Sequence, residues 1–81
     1  MRLDKFLKVS RIIKRRTVAN EACDNGHVEV NGKTARASYD VKEGDVIRIA
    51  FGERTVSLRV LDVRDNVQKA QASDLFEIIE G

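Results

Sequence analysis

Seven cations fall within the first sixteen residues, Arg2, Lys5, Lys8, Arg11, Lys14, Arg15 and Arg16, and only Asp4 opposes them. Guanidinium forks pair with two phosphate oxygens at once, and every phosphate neutralised releases counterions, so such a cluster suits one task above others: holding a polyanion. This stretch carries +6 and the remainder −4, which together make the formal net charge of +2. A basic patch on an otherwise acidic chain draws a polyanion to one face and repels it from the rest. Arg2, Lys5, Arg11, Arg15 and Arg16 are the leading candidates for phosphate contact. Lys8 and Lys14 suit solvent-facing positions equally well, and the plain alternative for any lysine here is a solvated side chain.

Other chemistry finds little to work with. There is no glycine-rich phosphate loop and no Ser/His/Asp set, and the chain has one cysteine, Cys23, and one histidine, His27. These two straddle Gly26 and make neither a nucleophile–base pair on one helix face nor a zinc site. No enzyme activity, metal or cofactor is therefore expected. Cys23 falls on an apolar stripe and reads as a small core residue. A hydrophobic content of 42% with 35% charged residues fits a globular domain. No apolar run approaches the ~20 residues of a membrane-spanning helix. Charges interrupt every apolar pair between Met1 and Lys8, leaving no signal-peptide core, so a cytoplasmic location and no membrane partner are expected.

These residues need elements to present them. Leu3, Phe6 and Leu7 recur at helical spacing, with Arg2, Lys5 and Lys8 on another side, which predicts a short amphipathic helix over residues 3–9. Arg11 to Arg16 places Ile12 and Ile13 as apolar anchors between bases. Thr17 is then the candidate N-cap of a second helix running to about Asn25, with Val18, Ala19, Ala22 and Cys23 as its buried stripe. No glutamate stands three positions after Thr17, so a full capping box is absent. Gly26 suits the left-handed residue that closes a helix. Asp4 is unusual among phosphate-binding cations; it either orients a neighbouring arginine or begins the first helix, where a negative charge meets the positive dipole end. Thr17 and Asn20 sit where the second helix could offer hydrogen bonds and exposed N–H groups to a phosphate.

From residue 28 onward the period becomes two. Val28-Glu29-Val30 runs into Asn31-Gly32, the dipeptide that most favours a tight hairpin turn, with a return strand near Lys33 to Ala35. His27 and Asn31 flank this hairpin and are further candidate contacts for the polyanion, although the turn alone accounts for Asn31. Lys33 adds a further candidate phosphate contact. Lys42-Glu43-Gly44-Asp45 marks another turn before Val46 to Phe51, where Ile47, Ile49 and Phe51 share a face. Residues 55–63 alternate again with Val56, Leu58 and Val60 inward, residues 65–74 read as a loop or helical turn, and residues 75–79 as a last strand. Two helices followed by strands predict an α+β fold, with the helices packed on one side of a small curled antiparallel sheet in a single domain spanning residues 1–81.

The ordered set Arg2-Leu3-Asp4-Lys5-Phe6-Leu7, Ser10-Arg11, Arg15-Arg16-Thr17 and Gly26-His27-Val28-Glu29-Val30-Asn31-Gly32, continued by Val41 to Ile47, resembles the RNA-binding domain named after ribosomal protein S4. That resemblance covers residues 2 to about 51 and implies the S4-like (alpha-L) fold, in which two helices and a hairpin form an L-shaped surface for folded RNA. Arg2 and Arg16 match basic positions of the family motif. Beyond the shared module, the chain is similar to stand-alone ribosome-associated members: the small heat-shock ribosome-binding proteins and, more so, the RqcP-like (YabO-like) quality-control factors of Gram-positive bacteria. The resemblance implies binding to large-subunit ribosomal RNA and peptidyl-tRNA on an obstructed large subunit. It also implies support of C-terminal alanine tailing beside a tail-elongating quality-control factor, by a monomer. Two alternatives stay open: a ribosome-assembly or tRNA-binding factor using the same module, and a protein-interaction module whose sheet meets a basic partner.

Overall fold

Helical spacing of Leu3, Phe6 and Leu7 becomes α1, Leu3–Val9, in the computed structural model, which describes residues 1–65 and 67–79. All three side chains are fully buried. Its first N–H groups are satisfied from a distant part of the chain: Leu3 N donates to the Tyr39 carbonyl at 2.8 Å and Asp4 N to the Ala37 carbonyl at 3.2 Å. A seven-residue helix would be marginal alone, so these bonds and the buried face are what hold it. Helix α2 spans Arg16–Asp24, and Gly26 at φ +81° then turns the chain into the sheet.

The sheet comprises β1 (Val28–Val30), β2 (Lys33–Thr34), β3 (Val46–Phe51), β4 (Arg54–Val60) and β5 (Phe76–Ile79) in the order β2-β1-β3-β4-β5. Every pairing is antiparallel. The β1–β2 turn uses Asn31 and Gly32 at φ +53° and +85°, the geometry for which Asn-Gly is the favoured pair. Alternation sorts the faces: Val28, Val30, Ile47, Ile49, Leu58 and Val60 are buried, while Arg48 and Arg59 between them are exposed. Ala35, Ala37 and Val41, from the connection between β2 and β3, close the core over α1. The expected α+β architecture is thus present, with the helices covering the apolar sheet face.

Several local expectations need correction. Thr17 is not the N-cap: Arg15 occupies that position without a side-chain cap, and Thr17 lies inside the helix. The helix begins earlier because Arg16 and Asn20 are both tied to Asp4 of α1, a constraint local sequence does not carry. The same tie rotates α2 so that Ala19 and Cys23 are buried and Val18 is left 49% exposed. Phe51 continues the face of Ile47 and Ile49 but runs past the edge of the core and is exposed. Strand β4 ends at Val60, short of Val63, because Leu61 N and Asp62 N both turn to the Leu75 carbonyl, at 2.8 and 3.3 Å. The polar stretch before β5 contains a 3-10 helix, Lys69–Leu75, which ends where the last strand was expected to begin. Asn66 in that stretch, and Glu80 and Gly81 of the 1–81 span, lie outside the described residues.

Candidate nucleic-acid interface

Asp4 organises the basic face. Its side chain is 2% exposed, yet its carboxylate accepts Arg2 Nε at 3.2 Å, Arg16 Nε at 3.4 Å, Asn20 Nδ2 at 3.1 Å and its neighbour's backbone, Lys5 N, at 2.8 Å. Burial pushes the Asp4 pKa up, but the hydrogen bonds from Asn20, Arg16, Arg2 and the Lys5 N–H outweigh it and hold the carboxyl below its ordinary value. Both roles considered for Asp4 hold together, since it orients two arginines and also lies in the first turn of α1.

Both arginines are about half exposed, and Arg16 is held by Nε, so that its two Nη groups make no hydrogen bond among the described residues. A guanidinium fixed at Nε presents its outer fork in one orientation, which suits two-point contact with a phosphate. The backbone of Arg2 is fixed too, by a β-bridge to Asp40 and a 2.8 Å bond from Val41 N to the Met1 carbonyl. Arg2, Asp4, Arg16, Thr17, Asn20 and Glu21 line a shallow cleft of about 450 Å3. Its lining combines two cations with the hydrogen-bonding side chains of Thr17 and Asn20, and Glu21 is its one outward acid. Although Thr17 does not cap α2, the uncapped first turn opens beside it.

The remaining candidates divide into other groups. Lys5 is paired with Asp65, Nζ to Oδ1 3.1 Å, on the surface. Lys8, Arg11 and Lys14 are exposed around a second concavity, of about 350 Å3, joined there by Lys69 from the 3-10 helix. Sequence reasoning missed Lys69, for no local pattern links it to the helices. Arg15 is exposed at the start of α2. His27 and Asn31 lie at opposite ends of β1, about 13 Å of extended chain apart, so they do not act on one atom. Asn31 and Lys33 line a third concavity with Arg36 and Tyr39, two residues not singled out from the sequence. The Asn31 side chain is committed internally: Nδ2 donates to Asp45 Oδ1 at 3.1 Å and Oδ1 accepts Val46 N at 3.0 Å. Asp45, 9% exposed, also accepts Tyr39 OH at 3.1 Å and Lys42 N at 3.0 Å, locking the hairpin to the connection that caps α1. Cys23 is buried, and burial, with lesser contributions from the Asp4 and Asp24 charges, pushes its thiol up to about 11.

Two helices set by a buried carboxylate, a basic outer face and an Asn-Gly hairpin define an RNA-binding module of the S4 class. Residues 1–47 match the family model described as the S4 domain, and the chain belongs to that family. More particularly, it shares its family with RQC P-site tRNA stabilizing factors. It is 53% identical over 78 residues to the one from Halalkalibacterium halodurans, covering 96% of this chain and 89% of the relative. It is 48% identical over 80 residues to that of Bacillus subtilis, covering 99% and 93%. Among solved structures it is similar to trimeric heat shock protein 15 of Vibrio cholerae, with a TM-score of 0.89 at 28% identity over 98% of this chain and 81% of that one. The solution structure of the hypothetical protein HP1423 superposes with a TM-score of 0.84 at 31% identity, covering 100% and 99%.

Proposed function

We propose that this protein is a non-catalytic RNA-binding factor of ribosome-associated quality control. In this reading it docks on a large ribosomal subunit that still holds peptidyl-tRNA, touching ribosomal RNA and the tRNA with the α1–α2 face. The observation that carries the reading is the Asp4-held pair Arg2 and Arg16, two half-exposed guanidiniums aimed from a rigid base. The role for which its relatives are named, stabilizing a P-site tRNA, fits a surface built to hold RNA still. The RNA contacts are Arg2, Lys5, Lys8, Arg11, Lys14, Arg15, Arg16, Thr17 and Asn20, with His27 and Lys33 at the hairpin, where the internally bonded Asn31 shapes the turn and does not itself touch RNA. By holding the tRNA in place on each cycle, the protein supports C-terminal alanine tailing by a tail-elongating partner. It works in the cytoplasm as a one-domain monomer, without a cofactor.

Such a role needs oriented charge and no reacting group. Arg16, held only at Nε, supplies a fixed outer fork; Arg2, which meets Asp4 through both Nε and Nη2, supplies its remaining N–H groups. The uncapped first turn of α2 adds backbone N–H groups, and shape selects folded RNA over a particular sequence. The test is co-sedimentation with large subunits that carry or lack tRNA, across a salt series, paired with a reconstituted tailing reaction. Wild type should travel with tRNA-bearing subunits and lengthen tails, and Arg2→Ala/Arg16→Ala should do neither. If wild type stays in the supernatant at low salt, the reading fails and a protein partner takes its place.

A further inference from the structure

We propose that Lys8, Arg11, Lys14 and Lys69 form a second phosphate-binding pocket, distinct from the Arg2–Arg16 cleft, whose fourth wall is supplied by the C-terminal part of the chain. It rests on the RNA-binding reading above and adds a ligand subsite to it: the backbone phosphates of the bound RNA. Four exposed cations line one concavity of about 350 Å3, and no acid lines it. None of the four is ion-paired among the described residues, whereas Lys5, one helical turn away, is paired with Asp65. Like charges gathered in a concave surface repel one another when the pocket is empty, and a phosphodiester backbone relieves that repulsion.

Backbone geometry gives an independent sign. Arg11 stands at φ +62°, in the left-handed position just past the C-cap of α1, Ser10. Glycine or asparagine is the usual residue there, because a larger side chain meets a steric penalty. The loop is nonetheless firmly held: Arg11 N donates to the Lys8 carbonyl at 3.0 Å, Ile13 N to the Leu7 carbonyl at 3.0 Å, and Ile13 is buried. An unfavourable conformation kept at a cation facing three other cations marks a binding role for the side chain. Lys69 lies outside residues 1–47 that match the S4 domain, so the pocket joins the shared module to the C-terminal third of the chain.

The experiment measures binding to tRNA-bearing large ribosomal subunits against salt for wild type, Lys69→Gln, Arg11→Gly and Arg16→Gln. Losing one phosphate contact should weaken binding roughly fivefold at 0.15 M salt and flatten the log–log salt slope by about 0.7–0.9. Lys69→Gln is expected to do this without changing thermal unfolding. Arg11→Gly should weaken binding similarly while keeping or raising the unfolding midpoint, a combination that a merely structural loop residue would not give. If Lys69→Gln and Arg11→Gly bind as wild type while Arg16→Gln is weakened, the pocket is refuted and the RNA-binding reading stands. If wild type does not bind at all, both fall. A parallel NMR titration with inorganic pyrophosphate separates sources: shifts at the pocket with subunit binding unaffected by Lys69→Gln would make it a site for a free anion and overturn the proposal.

Discussion

Replacing Asp4 by asparagine removes one negative charge from the basic face and raises the formal net charge of +2 by one. Simple charge counting says that RNA should then bind more tightly. The structure says the opposite, because Asp4 is what holds Arg2 and Arg16 in place. Ordering a long side chain on binding costs about 0.5–1.5 kcal/mol, so releasing two arginines forfeits about 1–3 kcal/mol. Against this, deleting a like charge about 4 Å from a phosphate returns about 1 kcal/mol in water, and salt screens that gain. The net is a loss of about 1 kcal/mol, or roughly fivefold in Kd, at about 0.3 M salt, where the Debye length is under about 8 Å. Stability falls as well. The amide keeps one acceptor oxygen for Lys5 N, but the NH2 that replaces the other oxygen faces the Asn20 and Arg16 donors: about 1 kcal/mol is lost with the Asn20 bond, less with the half-exposed arginine, and about 1 kcal/mol more by leaving a buried donor unpaired, a total of about 2 kcal/mol. For a domain of this size that lowers Tm by roughly 10 °C. Equilibrium binding to large ribosomal subunits, with calorimetry on the same variant, measures both. An Asp4→Asn protein that folds as well as wild type, or binds RNA more tightly at this salt, would refute the organising role of Asp4.

The same geometry sets three further outcomes. Because the Asp4 carboxyl is held below its ordinary pKa, its contribution is fully present above the unfolded-state value of about 4 and disappears as pH falls through the depressed folded value. Urea midpoints should therefore drop more steeply for wild type than for Asp4→Asn as the pH is lowered below the ordinary carboxylate range. Asn31→Ala removes two side-chain bonds and places an alanine at φ +53°, so it should cost about 2–3 kcal/mol by denaturant titration. If instead it weakens RNA binding and leaves stability intact, the internal role given to Asn31 is wrong. Cys23, with a thiol raised to about 11, holds only about one thiolate in a thousand at pH 8. A disulfide reagent should label it in denaturant and scarcely at all in the folded protein, and Cys23→Ser should leave RNA binding unchanged.

What could be read from the residues alone was what local physics decides. The spacing of Leu3, Phe6 and Leu7, the Asn31-Gly32 turn and the alternation around Ile47 and Ile49 act within a few residues and emerged where expected. The basic face was visible as composition. What stayed hidden depends on partners far along the chain. The start of α2 is set by Asp4, and the end of β4 by the Leu75 carbonyl. The left-handed residue after α1 is an arginine, so no glycine announced it. Nothing near Lys69 in sequence reveals that it joins Lys8, Arg11 and Lys14, and the hub at Asp45 collects donors from a hairpin and a long connection.

In the proposed function, RNA is held by the face that Asp4 organises. A reconstruction of the protein bound to a tRNA-bearing large subunit tests it most directly. Phosphate oxygens should lie within hydrogen-bond distance of the outer nitrogens of Arg2 and Arg16, with the exposed sheet face turned away from RNA. Finding the sheet against RNA or protein, and the two arginines open to solvent, would contradict it.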